Sequence, residues 1–293
     1  MPATQPAFEA LLLGVAQDGG LPHAGCDCPQ CSAAWHDPAL RQPVACLGLL
    51  DHRARRFWLI DATPDFPAQL QMAKQAGTPP APPYSLAGIF LTHAHIGHYT
   101  GLIHLGREAM NTRHLPLHCT PSMADFLRGN APWSALIEQS NIRLHRLPPH
   151  IPEALTDGIH ITAVPVPHRR EFSDTVAYLV QGPDRILFYC PDIDRWQGVD
   201  LAGAWQEGGV ALLDGTFFHP DELPGRDLHT IPHPFVRDTV QFFRQRLSTE
   251  SPPQVLFIHL NHTNPLWQQG PERAWVRERG FGVGKVGMRW PLA

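Results

Sequence analysis

The stretch Leu86-Ala87-Gly88-Ile89-Phe90-Leu91-Thr92-His93-Ala94-His95-Ile96-Gly97-His98 runs from an apolar strand straight into three histidines. Histidines in the loop that leaves a strand end can converge on one cation, because the sheet fixes where that loop starts. Imidazole is the commonest protein metal ligand, and this chain has 18 histidines against 4 tyrosines. A His-rich chain could gather three by chance, so the weight rests on what surrounds them.

Outward from this stretch, strands read from apolar or alternating runs bounded by Gly, Pro or Asp. The predicted strands are Phe8–Val15, Ala45–Leu50, Arg56–Asp61, Leu86–His93, Leu115–Thr120, Ile159–Val166, Thr175–Gln181, Arg185–Cys190, Val210–Asp214 and Gln254–His259. Helical spacing predicts Asp65–Gln75, Gly101–Ala109, Ser122–Leu127, Pro234–Leu247 and Glu272–Glu278, with Thr120-Pro121 and His233-Pro234 as helix starts. Strand runs early and late, with helices interspersed, predict an α/β architecture of two sheets flanked by helices. Gly77–Tyr84 is a proline-rich surface loop too short to link domains, and no internal repeat is present. A single domain over residues 1–293 is expected.

The 293 residues (32.6 kDa) are 43% hydrophobic and 17% charged, long enough to bury a core that needs no disulfides. A net charge of −4 and a pI of about 6.5 argue against a dedicated nucleic-acid or anionic-membrane binder. No apolar run reaches the roughly 18 residues of a membrane helix. The segment Ala10–Ala16 has no basic residue before it and no cleavage site after it, so it reads as a buried first strand. Of the six cysteines, Cys26, Cys28 and Cys31 cluster, while Cys46, Cys119 and Cys190 stand alone in apolar surroundings. That is a metal-site pattern plus core thiols, and it points to the reducing cytoplasm.

The histidine stretch resembles the H-x-H-x-D-H motif of the metallo-β-lactamase superfamily, and four further matches follow in chain order. Trp58-Leu59-Ile60-Asp61 is similar to that superfamily's early strand ending in aspartate, and Pro167-His168 to its next histidine at a strand end. Leu187-Phe188-Tyr189-Cys190-Pro191-Asp192 resembles the strand that delivers the bridging aspartate, and Val255-Leu256-Phe257-Ile258-His259 the final histidine strand. A lone histidine at any of these points is more often a core or loop residue; the order of the matches carries the reading. The resemblance covers Phe8 to about Trp290 and implies an αββα sandwich of two mixed sheets.

It also implies a ligand set. His93, His95 and His168 would hold a first ion, Asp192 would bridge, and His98 and His259 would hold a second. Asp61 would orient a ligand from behind. Neutral imidazoles with a carboxylate suit Zn2+ or Mn2+, with Fe2+ as an alternative. One position departs from the motif: Gly97 stands where its aspartate belongs. The second ion then keeps only His98, His259 and Asp192, unless another side chain reaches in.

Cys26-Asp27-Cys28-Pro29-Gln30-Cys31 offers three thiolates on a Gly/Pro-rich loop, three of the four ligands of a tetrahedral zinc. Unliganded thiols or a redox pair are the alternatives, although redox pairs commonly show C-x-x-C at a helix start. His262, three residues past His259, would face the opposite side of an extended chain and could complete a structural Zn2+ site. The cysteine loop with a late H-x-x-H is similar to cyclic-phosphate phosphodiesterases. Together with Leu213-Asp214-Gly215-Thr216 and Thr263-Asn264-Pro265 it also resembles the coenzyme PQQ synthesis protein B family, whose histidine motif is degenerate.

The resemblance extends to acid–base groups. In the superfamily's tRNA-processing branch an acidic residue before a Thr-Phe pair works with a later histidine, and Asp214 and His233 occupy similar places. Arg169 and Arg170 beside His168 could meet an anion, whereas His219 and His229 match no pattern. The expected function is a metal-dependent hydrolase of a small anionic ester, a phosphodiester or cyclic phosphate above all, with Asp192, His233 and Asp214 as the catalytic groups. The alternative is a role in PQQ biosynthesis, as a metal-dependent oxidative enzyme or as a carrier of PQQ or its precursor. A small anionic substrate is the expected partner; nucleic acid and membranes are not, and a homodimer is left open.

Overall fold

The first apolar run forms β1, Phe8–Gly14, in which every residue is buried. A strand buried on both faces lies in a sheet covered on both sides, and its sequence then reads as an unbroken apolar run. Alternate residues of β1 feed two different cores: Ala10 and Leu12 face a second sheet, while Leu11 and Leu13 face helices. The computed structural model describes residues 6–77, 81–201, 208–223, 225, 232–246 and 252–293.

The remaining strands are β2 (Cys46–Asp51), β3 (Arg56–Ile60), β4 (Ser85–Phe90), β5 (Leu115–Cys119), β6 (Ile142–Arg146), β7 (Glu153–Thr156) and β8 (Ile159–Val166). They continue with β9 (Thr175–Gln181), β10 (Ile186–Cys190), β11 (Val210–Asp214), β12 (Gln254–Ile258), β13 (Phe281–Val283) and β14 (Arg289–Pro291). One sheet has the order β14-β1-β2-β3-β4-β5-β6 and the other β13-β12-β11-β10-β9-β8-β7. Both are mixed: β3 to β6 run parallel, as do β10 to β13, and the pairs β1–β2, β2–β3, β8–β9 and β9–β10 are antiparallel.

Helices α1 (Pro29–His36), α2 (Phe66–Lys74), α3 (Ile96–Tyr99), α4 (Pro121–Gly129), α5 (Trp133–Glu138), α6 (Val236–Arg244) and α7 (Pro271–Glu278) lie in the connections. Phe66 of α2 and Met123 and Leu127 of α4 pack on the outer face of the first sheet with Leu59, Ile89 and Leu117. Val236, Val240 and Phe243 of α6 form an apolar stripe at helical spacing against Phe188, Leu213 and Phe257 of the second sheet. Each such side chain, fully buried, contributes roughly 1.5–3 kcal/mol. Trp58, Ile60 and Phe90 meet Tyr178, Tyr189 and Leu212 between the sheets. The result is the αββα sandwich expected from the sequence.

Several boundaries differ from the sequence-based expectation for local reasons. Expected strand Leu86–His93 stops at Phe90, because the Thr92 N–H bonds the Asp61 carboxylate (2.8 Å) instead of continuing the ladder. Expected helix Gly101–Ala109 is a 3-10 segment over Thr100–Leu105. Gly101 lies against the chain there: its N–H bonds the Ala62 carbonyl, and a Cβ would stand 2.3 Å from the Thr63 carbonyl oxygen. The expected helix Pro234–Leu247 is α6; Leu247 and His229 lie outside the described residues. Among the described residues no helix is long and apolar enough to cross a membrane.

Candidate metal centre

Strand ends of both sheets meet at one edge. The histidine loop leaving β4 is pinned there by the second sheet. Tyr178 Oη donates to the Leu91 carbonyl (2.7 Å), the Val176 N–H to the Thr92 carbonyl (3.1 Å), and the Ala94 N–H to Ser173 Oγ (3.0 Å). On this frame His93, His95, His168 and Asp192 bring one ligand atom each to within 4.8 Å of one another. His98, His259, Asp192 and Asp18 form a second group of the same kind. Asp192, at the end of β10, belongs to both. Its Oδ2 lies 3.2 Å from His93 Nε2 and 3.6 Å from His98 Nε2, and its Oδ1 lies 3.3 Å from His168 Nε2.

The rings are aimed from behind. His98 Nδ1 donates to Asp61 Oδ2 (2.7 Å), His168 Nδ1 to Asp194 Oδ1 (2.7 Å), and His93 Nδ1 to Thr92 Oγ1 (3.0 Å). His259 Nδ1 donates to Thr216 Oγ1 (3.0 Å). Thr92 and Thr216 can accept because their own hydroxyl protons go to Asp61 and Asp214. A donor fixed on Nδ1 leaves the Nε2 lone pair pointing inward. His95 is turned round: its Nε2 meets Glu171 (3.3 Å), and its Nδ1 faces His168 Nε2 at 3.2 Å.

Asp18 has no counterpart in the sequence-derived ligand set. The loop after β1 turns at Gln17–Gly20, where the Gly20 N–H bonds the Gln17 carbonyl, and it is stitched to the segment beyond β12 by Gln17 N–H to the Leu260 carbonyl. That turn sets Asp18 Oδ1 3.2 Å from His98 Nε2 and 3.6 Å from His259 Nε2. It also sits against Gly97, whose notional Cβ would stand 2.1 Å from Asp18 Oδ1. No local spacing marks this aspartate. The glycine within the histidine motif was the one signal that a carboxylate had to come from elsewhere. Asp194 and Glu171 were likewise missed, although each lies two or three residues past a predicted ligand.

The residues fit a divalent ion. Asp18 Oδ1, His93 Nε2, His98 Nε2, Asp192 Oδ1 and His259 Nε2 are all buried without a hydrogen-bond partner. Each such group would cost about 1–3 kcal/mol if left so. Five converging on one space, as nitrogen and carboxylate donors, are what a cation satisfies. Charge is distributed for it at several of these groups, with His98 the exception: burial disfavours its charge, but the Asp61 and Asp18 carboxylates raise it well above the ordinary range. Burial, with His98 close by, holds His93 well below its ordinary range, and burial also lowers His95. Burial opposes ionisation of Asp192, but the imidazoles of His168, His259 and His233 outweigh it and hold the carboxyl well below the usual range.

His233 and Asp214 adjoin this centre. His233 Nδ1 lies 2.8 Å from Asp214 Oδ2 and 3.4 Å from Asp192 Oδ1. Burial disfavours its charge, yet the Asp214 and Asp192 carboxylates push it up to about 9. Arg169 and Arg170 are exposed, and Arg169 lies beside Glu171 at 3.7 Å.

The cysteines gather separately. Cys26, Cys28, Cys31 and His262 place one ligand atom each within 4.8 Å of one another, and His262 Nδ1 lies 3.5 Å from both Cys26 Sγ and Cys28 Sγ. The chain is not extended between His259 and His262, as the sequence reading had assumed. His259 has a φ of 58°, and Asn261–Asn264 forms a turn closed by Asn264 N–H to the Asn261 carbonyl. That bend, rather than strand alternation, sends the two rings to different sites.

An αββα sandwich whose strand ends carry histidines around a shared aspartate defines the metallo-β-lactamase class of fold. The chain belongs to the beta-lactamase superfamily, whose domain matches residues 56–260. Over 96% of its length it is 27% identical to coenzyme PQQ synthesis protein B of Cupriavidus necator, covering 98% of that protein. The protein of the same name from Rhodopseudomonas palustris is 26% identical over 94% of this chain and 97% of its own length. Among solved structures, Zn2+-bound PqqB from Methylobacterium extorquens superposes with a TM-score of 0.79 at 20% identity, covering 96% of this chain and 99% of that one. A diphosphatase of the PhnP family gives 0.62 at 19%, covering 97% and 96%. These structural likenesses concern the fold.

Proposed function

We propose that the chain is a metal-dependent hydrolase of a small anionic ester, a phosphodiester or cyclic phosphate in particular. The observation that carries this reading is the doubled ligand set around Asp192 with the His233–Asp214 pair against it. His93, His95 and His168 would hold one ion, His98, His259 and Asp18 the other, with Asp192 shared. Bound divalent ions supply a water whose pKa falls to about 7 and polarise a phosphoryl oxygen. The chain's own part is orientation and proton supply. Asp61, Thr92, Asp194 and Thr216 hold the ligand rings in one tautomer. Asp214 fixes His233, which carries the proton a leaving oxygen needs. Cys26, Cys28, Cys31 and His262 would hold a structural Zn2+ away from the reaction.

The test is hydrolysis of bis(4-nitrophenyl) phosphate and of a five-membered cyclic phosphate by Zn2+- or Mn2+-loaded protein. The expected result is turnover abolished by chelation and by His95→Ala, with the far-ultraviolet circular dichroism unchanged. Asp214→Asn should lower kcat by about 10²–10⁴-fold while metal content stays the same. A loaded protein that cleaves neither ester, or His95→Ala that still does, would overturn the proposal.

A second reading, a part in making or carrying PQQ or its precursor, is favoured by the near full-length similarity to relatives of that name. A second ion site weakened at Gly97 would add to it, but the Asp18 carboxylate beside His98 and His259 weighs against that argument. Saturable binding of PQQ by a protein inert toward phosphodiesters would support this reading instead.

A further inference from the structure

We propose that Asp18 is the carboxylate ligand of the second ion, a ligand transposed from position 97 of the histidine motif onto the loop after β1. This rests on the two-ion reading of the histidine centre.

Three observations carry it. Residue 18 occupies the space a side chain at 97 would need, with its main chain as well as its carboxylate: a Cβ on Gly97 would stand 2.1 Å from Asp18 Oδ1, 2.8 Å from its Cγ and 2.6 Å from its main-chain Cα. Gly97 does not adopt a left-handed backbone, so its conformation is open to any residue. What keeps position 97 a glycine is therefore Asp18 itself, not the turn. Finally, Asp18 Oδ1 is buried without a hydrogen bond and faces His98 Nε2 and His259 Nε2, both equally unpartnered. A carboxylate placed only to support the loop would be bonded to that loop's N–H groups. This one is turned toward two imidazoles instead, with Oδ2 left to accept from Gln17 Nε2 (3.3 Å).

Carboxylates at 18 and 97 are then mutually exclusive. Wild type, Asp18→Asn, Asp18→Ala and Gly97→Asp would be loaded with Zn2+ or Co2+. Ions per chain would be counted by elemental analysis, and the Co2+ absorption bands recorded. Asp18→Asn and Asp18→Ala should each bind one ion fewer than wild type, or hold it more than about 100-fold more weakly. Asp18→Asn keeps the volume and in the metal-free form should melt like metal-free wild type, separating ligand loss from misfolding. Gly97→Asp alone should lower the melting temperature, because the two side chains collide. Wild-type stoichiometry in folded Asp18→Asn would overturn the assignment of Asp18 and leave the two-ion reading standing. A wild-type histidine centre that binds fewer than two ions would overturn both.

Discussion

The histidine centre and the cysteine cluster are built on opposite plans from neighbouring pieces of chain. At the histidine centre each ligand ring has a partner behind it: Asp61 for His98, Thr92 for His93, Asp194 for His168, Thr216 for His259, Glu171 for His95. Those partners are anchored in turn, Thr216 by Asp214 and the Thr92 loop by Tyr178 and Val176. The cysteines instead ride on a loop and the start of α1, with Cys26 and Cys28 partly exposed and Cys31 buried. Their polar partners are chiefly each other's neighbourhood: the Cys28 N–H to Cys26 Sγ, the His23 N–H to Cys31 Sγ. A preorganised site binds its ion without rearranging, whereas a thiolate loop owes its order to the ion. The two plans meet in sequence, since Asp18 precedes the cysteines on one loop and His259 precedes His262 on another.

The contrast can be broken most directly at the cysteines. Cys28→Ser should remove the ion from that site altogether and raise amide exchange through residues 17–36, while residues 92–98 stay protected. Equal loosening of both regions would mean that the histidine loop is not independently held. A smaller effect is expected from Thr216→Val, which takes away the acceptor for His259 Nδ1. Affinity for the second ion should fall about 10–100-fold, with no change at the cysteines, read by competition with a chromophoric chelator.

Lowering pH should separate the sites further. Burial pushes the Cys31 thiol up to about 12, so a zinc ion held there would have to displace its proton, and the competition would grow as pH falls. Burial holds His93 and His95 below the ordinary histidine range, so protons compete less there. Titration from pH 8 to 6 should therefore weaken the cysteine ion by at least about tenfold per unit, and the first histidine ion by less. The smallest change is Tyr178→Phe, which leaves the Leu91 carbonyl without its donor. It should cost about 1 kcal/mol, read from the shift in urea midpoint.

Much of this was legible in the sequence because the key residues sit at the ends of apolar runs. Asp61, His93, Asp192, Asp214 and His259 each lie within a few residues of a strand end, and strand ends are what apolar patterning marks well. Strands β6, β7, β13 and β14 escaped notice for the same reason in reverse. They are three to five residues long, and several of their residues are exposed, as in Glu153–Thr156 and Arg289–Pro291. Asp18 was illegible because a ligand contributed by a Gly-rich loop depends on tertiary placement alone. The same holds for the bend at His259, whose left-handed φ no residue pattern announced.

Whether the histidine centre holds two ions through a shared Asp192, independently of the cysteines, is a matter of counting ions. Elemental analysis of untagged wild-type protein and of Asp192→Asn, both purified without chelator, addresses it most directly. The expected count is about three ions per wild-type chain and about one in Asp192→Asn, that one being lost when Cys28 is also replaced. About one ion per wild-type chain, unchanged by Asp192→Asn, would contradict it.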